Sequence, residues 1–314
     1  MTHILPSDLV SIVAGDPNEL DVHLQLVERD VPLEDCSVRL HCHCLTVDGN
    51  GRVKPERLAE FMRNALVDYA IPKSHLKAAQ LRDAKYKSGS AVSTLHHRAI
   101  STFTDLQNTG EGGEMLLYLL AERFLKVPLV LCKMDLKTDS RVHYHGADGV
   151  YASVNDDGLL KLFWGESKVY ADPAAAIRDC LASLGPFLVE PDYEGAERER
   201  DLILLSDKAD LSDPDLTDAF RKYFDRSSPL SNRVEYCGIA LIAFDAGFYP
   251  KDSTAIAETI RDAAKSELAG WASNVQKRIA VEKLDKFDIQ FFCVPVPSAD
   301  GFRQAFLETL GFQK

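Results

Sequence analysis

GADGVYASVNDDGLLKLFWGESKVY, residues 146–170, decides the fold of this chain. Val150 to Val154 and Leu159 to Val169 read as strands, and Asn155-Asp156-Asp157-Gly158 between them is strong turn chemistry. An antiparallel hairpin folding about the middle of that turn pairs positions that sum to roughly 313 or 314. Asp148 then lies beside Gly165 or Glu166 on the neighbouring strand.

Directly opposed side chains on an antiparallel pair have Cβ atoms about 4.5–5.5 Å apart. Two carboxylates at that spacing repel unless a hard cation stands between them, so the pair predicts a divalent metal. Alternation along the second strand puts Leu162, Trp164, Glu166, Lys168 and Tyr170 on one face, and Phe163, Gly165, Ser167 and Val169 on the other. Lys168 thus stands next to Glu166, where an ammonium can orient a water and offset developing negative charge. The carbonyl of Ser167 is a further candidate metal ligand. The plainer alternative makes Asp148 a turn cap and Glu166 with Lys168 an exposed ion pair. Against it, the two charges follow Leu159-Leu160-Lys161-Leu162-Phe163-Trp164, a largely apolar element in which unpaired charge is costly.

Upstream, Gly110-Glu111-Gly112-Gly113-Glu114 leads into an apolar run from Met115 to Leu125 that predicts a buried helix ending before Pro128. Glu111 and Glu114 fall one turn apart at its start, where each either reaches the metal or complements the helix dipole. The glycines are no phosphate-binding loop of the nucleotide-hydrolase kind, since no Gly-Lys-Ser/Thr follows. Leu129 to Leu136 reads as a strand, and Asp172-Pro173 starts a helix through Leu184 with Gly185-Pro186 near its end. The order is helix, strand, strand, strand, helix.

That order, with those residues, resembles the PD-(D/E)XK nuclease superfamily, whose core is a mixed sheet flanked by helices. More narrowly, Glu111-Gly112-Gly113-Glu114, Lys133, His143-Tyr144-His145-Gly146-Ala147-Asp148-Gly149 and Glu166-Ser167-Lys168 resemble the HamA family of the Hachiman antiphage defence system. The resemblance implies an α/β fold and a metal-dependent nuclease acting on DNA, restrained by the superfamily 2 helicase HamB. It further implies that Asp148 and Glu166 hold Mg²⁺, with Mn²⁺ as a substitute, and that Lys168 organises the attacking water. Glu114 is carried as a catalytic acid, and Glu111, Glu114 and Ser167 as further metal ligands. Ala147 stands where the superfamily usually has proline, which is not a ligand. His143, Tyr144 and His145 are candidates for phosphate or outer-shell metal contacts, or else polar residues at a strand end.

The remaining sequence fits a globular chain of 314 residues and 46% hydrophobic content. No run of about eighteen apolar residues is present, and Met1 to Pro6 lacks a basic start followed by an apolar stretch, so a cytoplasmic protein that does not span a membrane is expected. Seven scattered cysteines predict reduced, mostly buried thiols. His41-Cys42-His43-Cys44 invites a zinc reading, but a strand sends its histidines and cysteines to opposite faces. A net charge of -12 is unusual for a nucleic-acid enzyme and predicts acids away from the cleft or a partner that engages DNA. Residues 73–98 are the most cationic region and form a candidate DNA- or partner-contacting arm, or a solvated helix and loop. Glu190 to Asp201 reads as a solvated connection.

Asp35 to Val47 is expected as a strand and Pro55 to Tyr69 as an amphipathic helix. Strands are expected at Leu202 to Leu205, Glu235 to Phe244 and Phe287 to Val294, the last two inside the sheet. Helices are expected near Pro214 to Phe224, Ser253 to Val281 and Gly301 to Leu310. A division near residue 105 gives an N-terminal α/β region, 1–105, and a nuclease-like region, 106–314, the alternative being that the first packs as one unit with the rest. Two other function classes stay open: a non-catalytic interaction protein on the same scaffold, and a zinc module built on the His-Cys run.

Overall fold

The computed structural model describes residues 4–103, 110–131, 134, 146–189, 197–250 and 256–312. Its seven strands are β1 (Leu24–Pro32), β2 (Val38–Leu45), β3 (Leu129–Leu131), β4 (Gly149–Val154), β5 (Leu160–Tyr170), β6 (Val234–Asp245) and β7 (Ile289–Val296). The turn between β4 and β5 is built as its residues require. Asn155 Oδ1 accepts from the Leu159 and Asp157 amides at 2.8 and 3.1 Å, and Gly158 takes a φ of +71°. Gly149 therefore pairs with Gly165 and Val154 with Leu160, the higher of the two expected registers.

One sheet holds all seven strands in the order β1-β2-β7-β6-β5-β4-β3. Its centre is parallel, from β2 through β7 and β6 to β5, and each end is closed by antiparallel pairs. β6 and β7 are interior strands, as their apolar composition predicts. The sheet and its buried core run across position 105: β2, from the N-terminal segment, is bonded to β7 near the C-terminus.

The helices are α1 (Pro6–Val10), α2 (Asn18–Asp21), α3 (Pro55–Asn64), α4 (Leu66–Ala70), α5 (Lys73–Tyr86), α6 (Ser90–Ser101), α7 (Glu111–Leu119), α8 (Pro173–Val189), α9 (Glu197–Lys208), α10 (Pro214–Arg221), α11 (Ala257–Glu282) and α12 (Ala299–Thr309). α7 continues as a π-helical turn, Leu120–Leu125. α7 and α12 cover the face of β5 that carries Gly165, Ser167 and Val169, while α8 covers the face of Trp164 and α11 lies beside it.

Several expectations need correction. β1 was not foreseen; it is an edge strand with two irregularities in its register and little alternation, so periodicity carries no clear signal there. The strand expected at Leu202 to Leu205 lies inside α9. There Arg198, Asp201 and Leu205 are buried at helical spacing, and Asp201 accepts from Trp164 Nε1 at 3.1 Å. Those two buried charges also correct the reading of the Glu190–Asp201 stretch as solvated, of which residues 190–196 lie outside the described residues. α8 does not stop at Gly185-Pro186 but continues to Val189. An interior proline costs about 3 kcal/mol, whereas burying Phe187 and Leu188 contributes about 1.5–3 kcal/mol each. The Phe187 and Leu188 carbonyls at the helix end accept from Arg198 Nη1. Residues 132, 133, 135 and 136 of the strand expected from Leu129, and residues 253–255 of the helix expected from Ser253, lie outside the described residues.

Candidate active site

The acidic site is assembled where β4 begins and β5 passes between its two helix layers. Asp148 immediately precedes β4, and its amide donates to the Gly165 carbonyl at 2.8 Å, extending the ladder by one residue. Its carboxylate is fixed by the same strand: Asp148 Oδ2 accepts from the Ser167 amide at 2.7 Å and from Ser167 Oγ at 2.6 Å. Ser167 thus acts in this structure as a donor to Asp148 through both its main chain and its side chain.

Two residues on the opposite β5 face form the second part of the site. Glu166 is 4% exposed, and Lys168 Nζ lies 3.3 Å from its Oε2. This overturns the exposed ion-pair alternative, since the carboxylate is buried and its lysine partner half-buried. Burial pushes the Glu166 carboxyl well above the ordinary range, and the nearby charge of Asp148 raises it further against the pull of Lys168. Lys168 is raised as well, because Glu166 and Asp148 outweigh its desolvation. The Asp148 carboxylate accepts two bonds from Ser167, while burial sets the upward direction at Glu166.

α7 contributes the remaining acids. Glu111 is buried in its first turn, and Glu114 accepts from Tyr69 Oη at 3.3 Å. The same hydroxyl lies 3.3 Å from the Asp148 carbonyl, so α4 ties the α7 acid to the chain bearing Asp148. Glu114 also raises the Glu166 carboxyl, which places it within electrostatic reach. The glycines between the α7 acids serve packing: a Cβ on Gly113 would sit 2.9 Å from Val169 Cγ2 and 3.0 Å from Ser167 Oγ. Tyr69 is the site residue that pattern reading missed. It sits in a helix with no local motif, and only the tertiary fold brings it to Glu114.

Among the described residues, no three His, Cys, Asp or Glu side chains already converge as a metal cage. The donor set nevertheless fits a hard cation. It offers Asp148 and the buried, mutually repelling Glu166, and Mg²⁺ is commonly held by one or two carboxylates while keeping several waters. Lys133, His143, Tyr144 and His145 lie outside the described residues. A cavity of about 1110 Å³ lined by Glu199, Arg200, Tyr223 and Tyr236 contains none of these acids.

The His-Cys run follows its predicted alternation. His41 and His43 pack on Phe124 and Phe292, His41 Nε2 meets Gln290 at 2.9 Å, and burial lowers His43 to about 3. Cys42 and Cys44 are buried near Cys293 and Tyr249. The four side chains do not gather around one ion.

A family model described as HamA matches residues 21–310. No curated protein matches the chain.

Proposed function

This chain belongs to the HamA family of the Hachiman antiphage defence system, and from that premise we propose that it is a metal-dependent DNA nuclease of the PD-(D/E)XK type. The observation that carries the reading is the buried Glu166, bonded to the half-buried Lys168 and facing the charge of Asp148 on the paired strand. Burying a carboxylate against another acid costs stability, and such costs concentrate at functional sites. Asp148 and Glu166 would hold Mg²⁺ or Mn²⁺, with Glu114 and Glu111 as nearby acids. Bound there, the cation supplies positive charge to a phosphodiester oxygen. Lys168 holds and orients a water for in-line attack and offsets charge on the phosphoryl group. Ser167 fixes the Asp148 carboxylate, and Tyr69 steadies Glu114.

The negative charge of the chain fits an enzyme that meets DNA together with a partner, which we take to be the superfamily 2 helicase HamB. Incubating linear and circular DNA with the chain and the helicase in Mg²⁺, Mn²⁺ or EDTA tests this. Cutting in either metal and none in EDTA is expected. No cutting in any condition would overturn the reading. It would instead favour a non-catalytic interaction protein, for which one observation speaks: Asp148 is bonded by Ser167 and Lys168 by Glu166.

A further inference from the structure

The α5–α6 hairpin reverses the charge of the molecule around it. Residues 73–101 carry Lys73, Lys77, Arg82, Lys85, Lys87 and Arg98 against one acid, Asp83, a balance of six to one in a chain whose net charge is -12. That one acid does not face solvent. Asp83 is 7% exposed, and its two oxygens accept from the Ala91 and Val92 amides at 3.0 Å, capping α6. The hairpin therefore shows solvent cations with no acid of its own between them.

Its root and its tip differ. At the root, Lys73 pairs with the buried Glu122 at 3.2 Å, the Ser74 amide donates to Asp210 at 2.8 Å, and Lys77 reaches the Ser212 carbonyl. Towards the tip, Arg82, Lys85 and Lys87 are exposed, and none of them is paired with an acid among the described residues. Tyr86, 65% exposed, stands among them with Lys85 Nζ 5.3 Å from its ring centre. Only Ala79, Asp83 and Ala99 of the two helices are buried, so the hairpin gains little from packing on the core.

The chain on either side of the hairpin belongs to the acidic site. The hairpin leaves just after α4, whose Tyr69 holds Glu114, and returns to Phe103, whose ring centre lies 6.4 Å from that of Tyr69 and 5.9 Å from that of Phe306. A basic arm with an exposed aromatic ring, extending from the elements that hold an acidic centre, matches a polyanion carrying stackable rings. We infer that the α5–α6 hairpin is a nucleic-acid backbone clamp that brings DNA to the Asp148-Glu166-Lys168 site. This rests on the nucleic-acid reading above and adds where the backbone is gripped.

The test is fluorescence anisotropy of short labelled duplex and single-stranded DNA with the full chain in EDTA, over a range of salt. The triple variant Arg82→Gln/Lys85→Gln/Lys87→Gln should bind at least about tenfold more weakly at low salt. Its plot of log affinity against log salt should be shallower by about 2 to 3, close to one counterion per lost cation. The charge-preserving variant Arg82→Lys/Lys85→Arg/Lys87→Arg should bind as wild type does. A control triple on other exposed lysines, Lys208→Gln/Lys222→Gln/Lys277→Gln, should leave the slope nearly unchanged. Unchanged affinity and slope in the arm variant, or an equal loss in the control, would overturn the proposal. Because binding is read without metal, the two readings fail separately. A chain that binds through the arm yet never cuts removes the nuclease and keeps the clamp; cutting with arm-independent binding does the reverse.

Discussion

At the scale of single residues, the site is a problem in buried charge. Glu166 is held above the ordinary carboxyl range by burial and by Asp148. In the metal-free chain the folded state therefore binds more protons than the unfolded state from about pH 4.3 upward. Stability should fall as pH rises through that window and be greatest below it. Glu166→Gln should flatten this dependence and leave the metal-free protein more stable near neutral pH than wild type, as read by urea unfolding in EDTA. An unchanged slope would mean that Glu166 is charged in the fold. Tyr69→Phe removes one hydroxyl at 3.3 Å from both Glu114 and the Asp148 carbonyl. A net hydrogen-bond contribution of about 0.5–1.5 kcal/mol predicts a loss of roughly two- to thirteenfold in cleavage rate with little change in melting temperature. Full activity would remove Tyr69 from the site. Much of this scale was legible: the turn residues Asn155 and Gly158 set the register, and the register sets Asp148 against β5. Tyr69 was not, because its role depends on a contact 45 positions away in sequence.

At the scale of elements, α7 lies close on β5 because each contact sets a side chain of one element against a glycine of the other: Leu117 on Gly165, and Val169 and Ser167 on Gly113. A Cβ on Gly165 would meet Leu117 Cδ2 and Tyr151 Cε2, each at 2.9 Å. Gly165→Ala should cost about 1–3 kcal/mol by overpacking and should lower cleavage as well, since the displaced helix carries Glu111 and Glu114. Wild-type stability in that variant would show that the helix can shift freely. Elements with strong local signals emerged from sequence, including the hairpin, the apolar α7 and the two interior strands β6 and β7. The apolar run at Leu202 to Leu205 did not, because four consecutive hydrophobic residues suit a strand or a buried helix turn equally. The choice was made by Arg198 and Asp201, whose partners lie on α8 and β5.

At the scale of the whole molecule, the sheet joins parts of the chain that sequence reading divides near residue 105. β2 is an interior strand bonded to β1 on one side and β7 on the other. Residues 106–314 expressed alone would expose the β7 edge and the core beneath α3 and α4, so they should fail to show cooperative unfolding. A well-folded 106–314 fragment would contradict this. The β2–β7 pairing was hidden from sequence because it spans most of the chain and leaves no local pattern. It also has a functional consequence: the basic α5–α6 hairpin and the acidic centre, distant in composition, share one scaffold.

The most direct measurement is Mg²⁺-dependent cleavage of DNA by the wild type, Glu166→Ala and Lys168→Ala side by side, each with the companion helicase and each checked for folding by circular dichroism. Cutting by the wild type and none by either folded variant is the predicted result. Equal cutting by all three would contradict a nuclease centre at Asp148, Glu166 and Lys168.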